Sequence, residues 1–80
     1  MNTAFLLLNM ELGYNKLYFE ELENLSEVIY VYNIYGVYDV LVKVECESIE
    51  DIKDFIAEKI RVNRDLQSCL TMLKVEGFTV

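Results

Sequence analysis

The chain has 80 residues, enough for one domain, and 54% of them are hydrophobic. A domain of this size has a thin core, so the surplus of apolar side chains predicts that part of its surface is covered by oligomerisation. Fourteen acidic residues against seven basic ones give a net charge of −7. That charge excludes a basic nucleic-acid-binding footprint and argues against binding to anionic membrane surfaces.

The residue types also limit the chemistry. The chain has no histidine, and its two cysteines, Cys46 and Cys69, lack CxxC spacing. A tetrahedral zinc site therefore has too few ligands, histidine-based catalysis is excluded, and we expect neither a metal nor a cofactor. The longest apolar run is too short to cross a bilayer and lacks the features of a signal peptide, so we expect a cytoplasmic protein.

The first half of the chain predicts a strand, a helix and a hairpin. Residues 3–10 form an apolar run with almost no polar alternation, typical of a strand buried on both faces. Residues 14–25 carry apolar side chains at helical spacing and predict one helix of about three turns. Residues 27–35 and 38–46 are rich in β-branched and aromatic side chains, and they predict two strands joined by a tight turn at Gly36.

The second half predicts a helix and a last strand. Ser48 is a favourable N-cap, and residues 48–62 carry one stripe of isoleucine and phenylalanine side chains at helical spacing. Residues 66–76 read as a strand. The resulting order, βαββαβ, predicts an α+β fold of the ferredoxin-like type. It would be a sandwich with a four-stranded antiparallel sheet and two helices on one face, forming a single domain over residues 1–80.

The topology has two consequences for the chain. In the strand order 4-1-3-2, the first strand separates Cys46 from Cys69 by roughly 10 Å, so we expect both thiols to stay reduced. Two helices cover only one face of the sheet. The other face would carry part of the first strand, alternate tyrosines of the second and Leu41, and its simplest cover is a second copy packed sheet on sheet.

The segment GVYDVLVKVE, residues 36–45, resembles the effector-binding C-terminal domain of the Lrp/AsnC family of transcription regulators. Gly36, Tyr38 and Asp39 match the family's pattern of a glycine, a variable residue, an aromatic residue and an aspartate. Gly13 matches a common glycine after the first strand. Thr71 matches the second of two threonines in the last strand, where the first is Cys69 here.

The resemblance implies a stand-alone effector domain, since the family's helix-turn-helix does not precede the first strand. Such domains form dimers, and the dimers assemble into larger rings, often octamers. Small molecules, commonly amino acids, bind at the contacts between dimers near the second hairpin and the last strand. Stand-alone forms bind effectors, or join full-length regulators and alter their response.

For Gly36, Tyr38 and Asp39 the residues leave two interpretations. One is turn chemistry, in which the glycine supplies a positive φ and the aspartate accepts hydrogen bonds from the local backbone. The other is a ligand turn, in which backbone amides hold a carboxylate and Asp39 pairs with an ammonium group.

Cys69 and Thr71 are two residues apart and so lie on one face of the last strand. They are either small packing residues or part of the ligand site, where Thr71 would hydrogen-bond a ligand and Cys69 would line an apolar wall. Cys69 has no evident base or cationic activator, which argues against a catalytic nucleophile.

Three functions remain open from the sequence. The leading hypothesis is an oligomeric domain that binds a small effector, an amino acid by the resemblance, and acts in transcriptional or metabolic regulation without touching DNA. The second is a ligand-free assembly module that joins full-length regulators. The third, a small cofactor-independent enzyme on the same fold, is disfavoured because histidine is absent and no paired carboxylates are evident. We therefore predict no enzymatic activity.

Overall fold

The protein is a four-stranded antiparallel sheet with its helices on one face, which confirms the predicted ferredoxin-like fold. A computed structural model describes residues 1–11 and 16–74. The spatial strand order is β2-β3-β1-β4, the predicted order seen from the other edge. In chain order the elements are β1 (Asn2–Met10), α1 (Lys16–Glu23), β2 (Val28–Asn33), β3 (Val40–Cys46), α2 (Ile49–Phe55), a π-helical turn (Ile56–Ile60) and β4 (Leu66–Leu73).

The core lies between the sheet and the helices, and the two central strands build most of it. Alternate residues of β1 and β3 point into it, so Leu6, Val42 and their neighbours two residues away are almost fully buried. Leu22 of α1, Ile52 of α2 and other apolar helix residues close it from the opposite side. The alternation predicted for β3 is therefore confirmed.

The register fixes which residues share a face, because directly opposed residues of antiparallel strands point the same way. Leu6 pairs with Val42 of β3 and with Thr71 of β4, so Thr71 lies on the helix side of the sheet. Residues one position along point to the opposite side. We call that side the open face; it carries Thr3, Phe5, Leu7 and Asn9 of β1, Tyr30 and Tyr32 of β2, Leu41, Lys43 and Glu45 of β3, and Ser68, Leu70 and Met72 of β4.

The middle of the open face is apolar around the cation of Lys43, and polar pairs lie at its two ends, Thr3 with Glu45 and Asn9 with Ser68. The Lys43 ammonium lies 5.9 Å from the ring centroid of Phe5 and 5.9 Å from that of Tyr30. The Tyr30 and Tyr32 rings stack at 4.5 Å. Strand β1 was predicted to be buried on both faces, whereas in the single chain its side chains on this face are mostly half-buried.

The turn between β2 and β3 differs from the prediction. The two strands pair antiparallel, which confirms the hairpin, but β2 ends at Asn33 and β3 begins at Val40. The tight turn at Gly36 was therefore wrong, and residues 34–39 form a six-residue loop. The Ile34 amide donates to the Asp39 carbonyl at 2.9 Å and closes this loop, whose tip exposes Tyr35 completely.

The second helix changes its winding. Ser48 caps α2, as predicted, by accepting a 3.1 Å hydrogen bond from the Asp51 amide. After Phe55 the helix widens into a π turn, in which the Arg61 amide donates to the Ile56 carbonyl five residues back at 2.9 Å. π turns are rare in proteins, and those that occur are often found at functional sites.

Other predictions concern the cysteines and the ends of the elements, and some of them involve residues that the structure does not describe. Both cysteines are free, as expected. Helix α1 ends at Glu23, two residues before the predicted end. Its predicted start and Gly13 lie outside the described residues, as does the predicted end of β4 at residues 75–76. Among the described residues, no helix is long and apolar enough to cross a membrane.

Candidate functional site

Asp39 ties the hairpin loop to the end of β1. Its backbone amide donates to the Leu8 carbonyl at 2.9 Å, and its side-chain Oδ2 accepts from the Met10 amide at 2.8 Å. The aspartate therefore does accept a backbone hydrogen bond, but from a residue 29 positions away and not from its own turn. This arrangement gives Asp39 a structural role. It leaves the second carboxylate oxygen without a partner among the described residues.

Gly36 sits in the loop where a side chain would strain the backbone. Its φ of 149° lies in a region that residues with a Cβ rarely adopt. No atom lies within 4 Å of the place where a Cβ would stand, so backbone conformation and not crowding explains the glycine. Tyr38 is half-buried beside it, while Val37 is largely exposed.

Cys69 and Thr71 lie on the helix side of β4, on one face as predicted. The Cys69 sulfur is 3.9 Å from the Thr71 hydroxyl oxygen. Cys69 is half-buried and packs against the core, whereas Thr71 is exposed along the edge of the sheet. Thr71 is therefore the accessible polar group of the pair.

Burial raises the pKa of the Cys69 thiol, although the hydrogen bond to Thr71 and the charge of Arg61 oppose the shift. Burial, the Cys69 sulfur and Glu21 together raise the pKa of Tyr18 to about 12. The Tyr18 hydroxyl is buried and has no hydrogen-bond partner within the described part of the chain. Both groups are therefore protonated near neutral pH.

Within one chain the two parts of the predicted site stand apart. Val40, next to Asp39, and Cys69 both pair with Leu8, so two strand spacings of about 4.8 Å separate them. Thr71 pairs with Leu6 and lies a further two residues down the strand. The hairpin and the β4 pair thus flank β1 without sharing a pocket wall.

A groove runs between α2 and β4 and has Thr71 on its rim. Its volume is about 330 Å³, at the low end of the range for small-molecule sites. We call it the α2–β4 groove; its lining residues are Ile49, Ile52, Lys53, Ile56, Ala57, Arg61, Thr71 and Leu73. Gly36, Tyr38 and Asp39 are not among them.

The sequence identified only part of this groove. The isoleucine stripe of the helix was predicted, but it was assigned to the core and not to a ligand surface. Arg61 was missed because a regular helix would turn it away from Ile56, whereas a π turn aligns residues five apart. No local sequence signal marks that change of winding.

Nothing in the described chain suggests a metal centre. Among residues 1–11 and 16–74, no group of three cysteine, aspartate or glutamate side chains is placed to hold an ion. The acidic residues of α2 lie on its surface, and Glu50 forms a 3.7 Å ion pair with Lys53 three residues on. What the geometry offers is a groove of small-molecule size and a hairpin loop that Asp39 ties to β1.

Comparison with known proteins agrees with this geometry. The model of the family described as "Lrp/AsnC ligand binding domain" matches residues 3–77. The structure is similar to that of FFRP-DM1, with 39% identity, a TM-score of 0.88 and coverage of 94% of this chain and 100% of the other. A hypothetical protein from Pyrococcus horikoshii is also 39% identical, with a TM-score of 0.86 and coverages of 94% and 90%.

A longer protein shares the same domain. AsnC of E. coli is 26% identical with a TM-score of 0.79, and the match covers 99% of this chain but 54% of AsnC. No curated protein sequence is significantly similar to the chain. Since the family match spans nearly the whole sequence, the chain belongs to the Lrp/AsnC family of ligand-binding domains, the regulatory effector-binding part of these transcription regulators.

Proposed function

We propose that the protein is a cytoplasmic regulatory domain that binds an amino acid effector between its subunits and does not itself bind DNA. The observation that carries the proposal is the α2–β4 groove with Thr71 on its rim, in a chain of the Lrp/AsnC ligand-binding family. Thr71 offers an exposed hydroxyl beside an apolar cleft, which suits a ligand with a polar head and a side chain. The proposal makes the protein a sensor and not an enzyme.

The ligand site is made of two half-sites from different subunits. Gly36, Tyr38 and Asp39 of one subunit form the first, and Cys69 and Thr71 of a neighbour form the second. The separation of the two parts within a chain supports this division, since one small molecule cannot touch both across β1. The Asp39 oxygen that has no partner among residues 1–11 and 16–74 would pair with the ammonium group, and backbone amides of the loop would hold the carboxylate.

The open face supplies the assembly. A second copy covering it would bury Leu7, Leu41 and the stacked tyrosines, which the helices leave uncovered. Dimers formed in this way assemble further into rings, with eight subunits as the expected size, and bring hairpins and grooves together. The same face allows the domain to join full-length regulators of the family.

A ligand-free assembly module is the second candidate. The observation that favours it is the hydrogen bond between Asp39 and Met10, because a purely structural aspartate explains that contact without a ligand. In this case the open face carries the whole function.

Thermal unfolding in the presence of each of the twenty amino acids at millimolar concentration separates the two candidates. A ligand at a hundred times its dissociation constant stabilises the folded state by about 2.7 kcal/mol, which is an easily measured shift in melting temperature. We expect a shift with one amino acid or a chemically related few. If no amino acid changes the melting temperature, the assembly module replaces the sensor.

Substitution of Asp39 tests the role of its charge apart from its structural bond. Asp39→Asn keeps an oxygen that can accept from the Met10 amide, whereas Asp39→Ala removes it. We expect the alanine variant to lose about 1–3 kcal/mol of unfolding free energy and the asparagine variant much less. Both are expected to lose effector binding in calorimetry, since neither can pair with an ammonium group.

The asparagine variant decides this prediction. It folds and assembles like the parent chain if the bond to Met10 is retained, so a loss of binding then reports the charge alone. Unchanged affinity in Asp39→Asn would show that Asp39 acts only as a structural residue.

A further inference from the structure

The α2–β4 groove has an apolar floor and cations at its mouth. Ile52 and Ile56 are buried at its base, and Ile49 and Leu73, each a little under half exposed, form its walls. Lys53 and Arg61 line it as well, and no carboxylate is among its lining residues. In a chain of net charge −7 this is a locally basic, apolar cleft.

The π turn places one of these cations. Because the Arg61 amide is bonded to the Ile56 carbonyl, Arg61 follows Ile56 on the groove side of the helix. Arg61 lines the groove together with Thr71 and Leu73 of β4. Lys53 forms an ion pair with Glu50, whereas Arg61 forms none with the residues that the structure describes, so Arg61 is the cation that we assign to the ligand.

The relative strengths of the contacts decide which side chain fits. Each methylene removed from water gains about fourfold in affinity, so three buried carbons gain roughly sixtyfold. An exposed ion pair gains at most about fivefold. For an anionic side chain, the free energy lost by removing the charge from water exceeds the free energy gained by pairing with Arg61. A cationic side chain would be repelled by Arg61.

We infer that the α2–β4 groove receives the aliphatic side chain of an amino acid of valine to leucine or methionine size, and that Arg61 excludes basic amino acids. The inference rests on the proposed function, whose ligand class it specifies. Thr71 stands at the rim, where the polar head of the ligand emerges. Ala57 contributes the smallest side chain of the helical wall, so a larger residue at this position would narrow the groove.

Three variants test the inference by isothermal calorimetry and melting temperature. The parent chain is expected to bind leucine, isoleucine, valine or methionine, and to bind lysine and aspartate at least tenfold more weakly. Arg61→Glu is expected to raise the affinity for lysine about tenfold, because a repulsive charge becomes an attractive one. Ala57→Leu fills the groove and is expected to weaken leucine binding at least tenfold.

Arg64→Glu is the matched control. It makes the same change of charge three residues further along, on an exposed residue that does not line the groove, and it is expected to leave lysine affinity unchanged. Equal gains in Arg61→Glu and Arg64→Glu would reduce the effect to net charge and overturn the assignment of Arg61. A parent chain that binds lysine, aspartate or asparagine but no aliphatic amino acid would overturn the ligand class while the amino acid sensor stands. Absence of binding by all twenty would instead overturn the proposed function.

Discussion

Replacement of Leu6 by alanine is expected to lower the free energy of unfolding by about 2–5 kcal/mol. Leu6 is fully buried in the central strand β1, where it pairs with Val42 on one side and Thr71 on the other. Its truncation leaves a cavity that the two neighbouring strands cannot close without breaking their ladders. Small domains have about 5–15 kcal/mol of stability, so the loss is a large part of the total. Chemical denaturation at a fixed protein concentration measures it.

Leu7→Ala is the matched control for this prediction, because the two leucines are adjacent and point to opposite faces. Leu7 lies on the open face and is half-buried. In dilute protein, where subunits are separated, its truncation is expected to lower the free energy of unfolding less than Leu6→Ala does. The loss is expected to grow as the protein concentration rises. A larger loss for Leu7→Ala than for Leu6→Ala in dilute protein would reverse the assignment of the two faces.

Under the proposed assembly through the open face, Leu7→Lys is expected to convert the protein into monomers. The substitution places an ammonium group near the centre of the open face, next to the cation already present at Lys43. In the separate chain the lysine can extend into water, whereas burial against a second copy leaves the charge unpaired and costs several kcal/mol. Light scattering coupled to size exclusion measures the change in mass.

Val62→Lys makes the same substitution outside the open face. Val62 follows the π turn and is 65% exposed, so an added charge there is expected to leave the mass unchanged. If both variants remain assembled, the open face is not the contact between subunits. If both dissociate, the effect is one of net charge and not of a particular face.

The fold could be predicted from the sequence because most of its signals are local. The strict alternation in β3 depends only on which side chains avoid water, and it held at every position from Val40 to Cys46. The helix stripe and the Ser48 cap are equally local. Once the order of elements was known, the topology of the split motif fixed the strand order and kept the cysteines apart.

What the sequence did not predict depends on contacts between distant residues. The Asp39 carboxylate accepts from Met10 only because the sheet brings the end of β1 beside the start of β3, so turn chemistry alone gave the wrong partner and too tight a turn. The π turn was also hidden, since the apolar spacing of residues 49–60 is compatible with a regular helix. Arg61 entered the candidate site only through that change of winding.

The hydrogen bonds at the end of β1 have a consequence for how sites communicate. The Met10 amide is held by Asp39 of the hairpin loop, and the next amide, that of Glu11, donates to the Asp65 carbonyl at 2.6 Å, just before β4. The loop and the start of the groove strand are thus joined through two consecutive peptide units. In a ring where each subunit gives its hairpin to one ligand and its groove to the next, a shift at one ligand is passed to the other. Such a ring would couple its ligand sites, so the Hill coefficient for effector binding would differ from one.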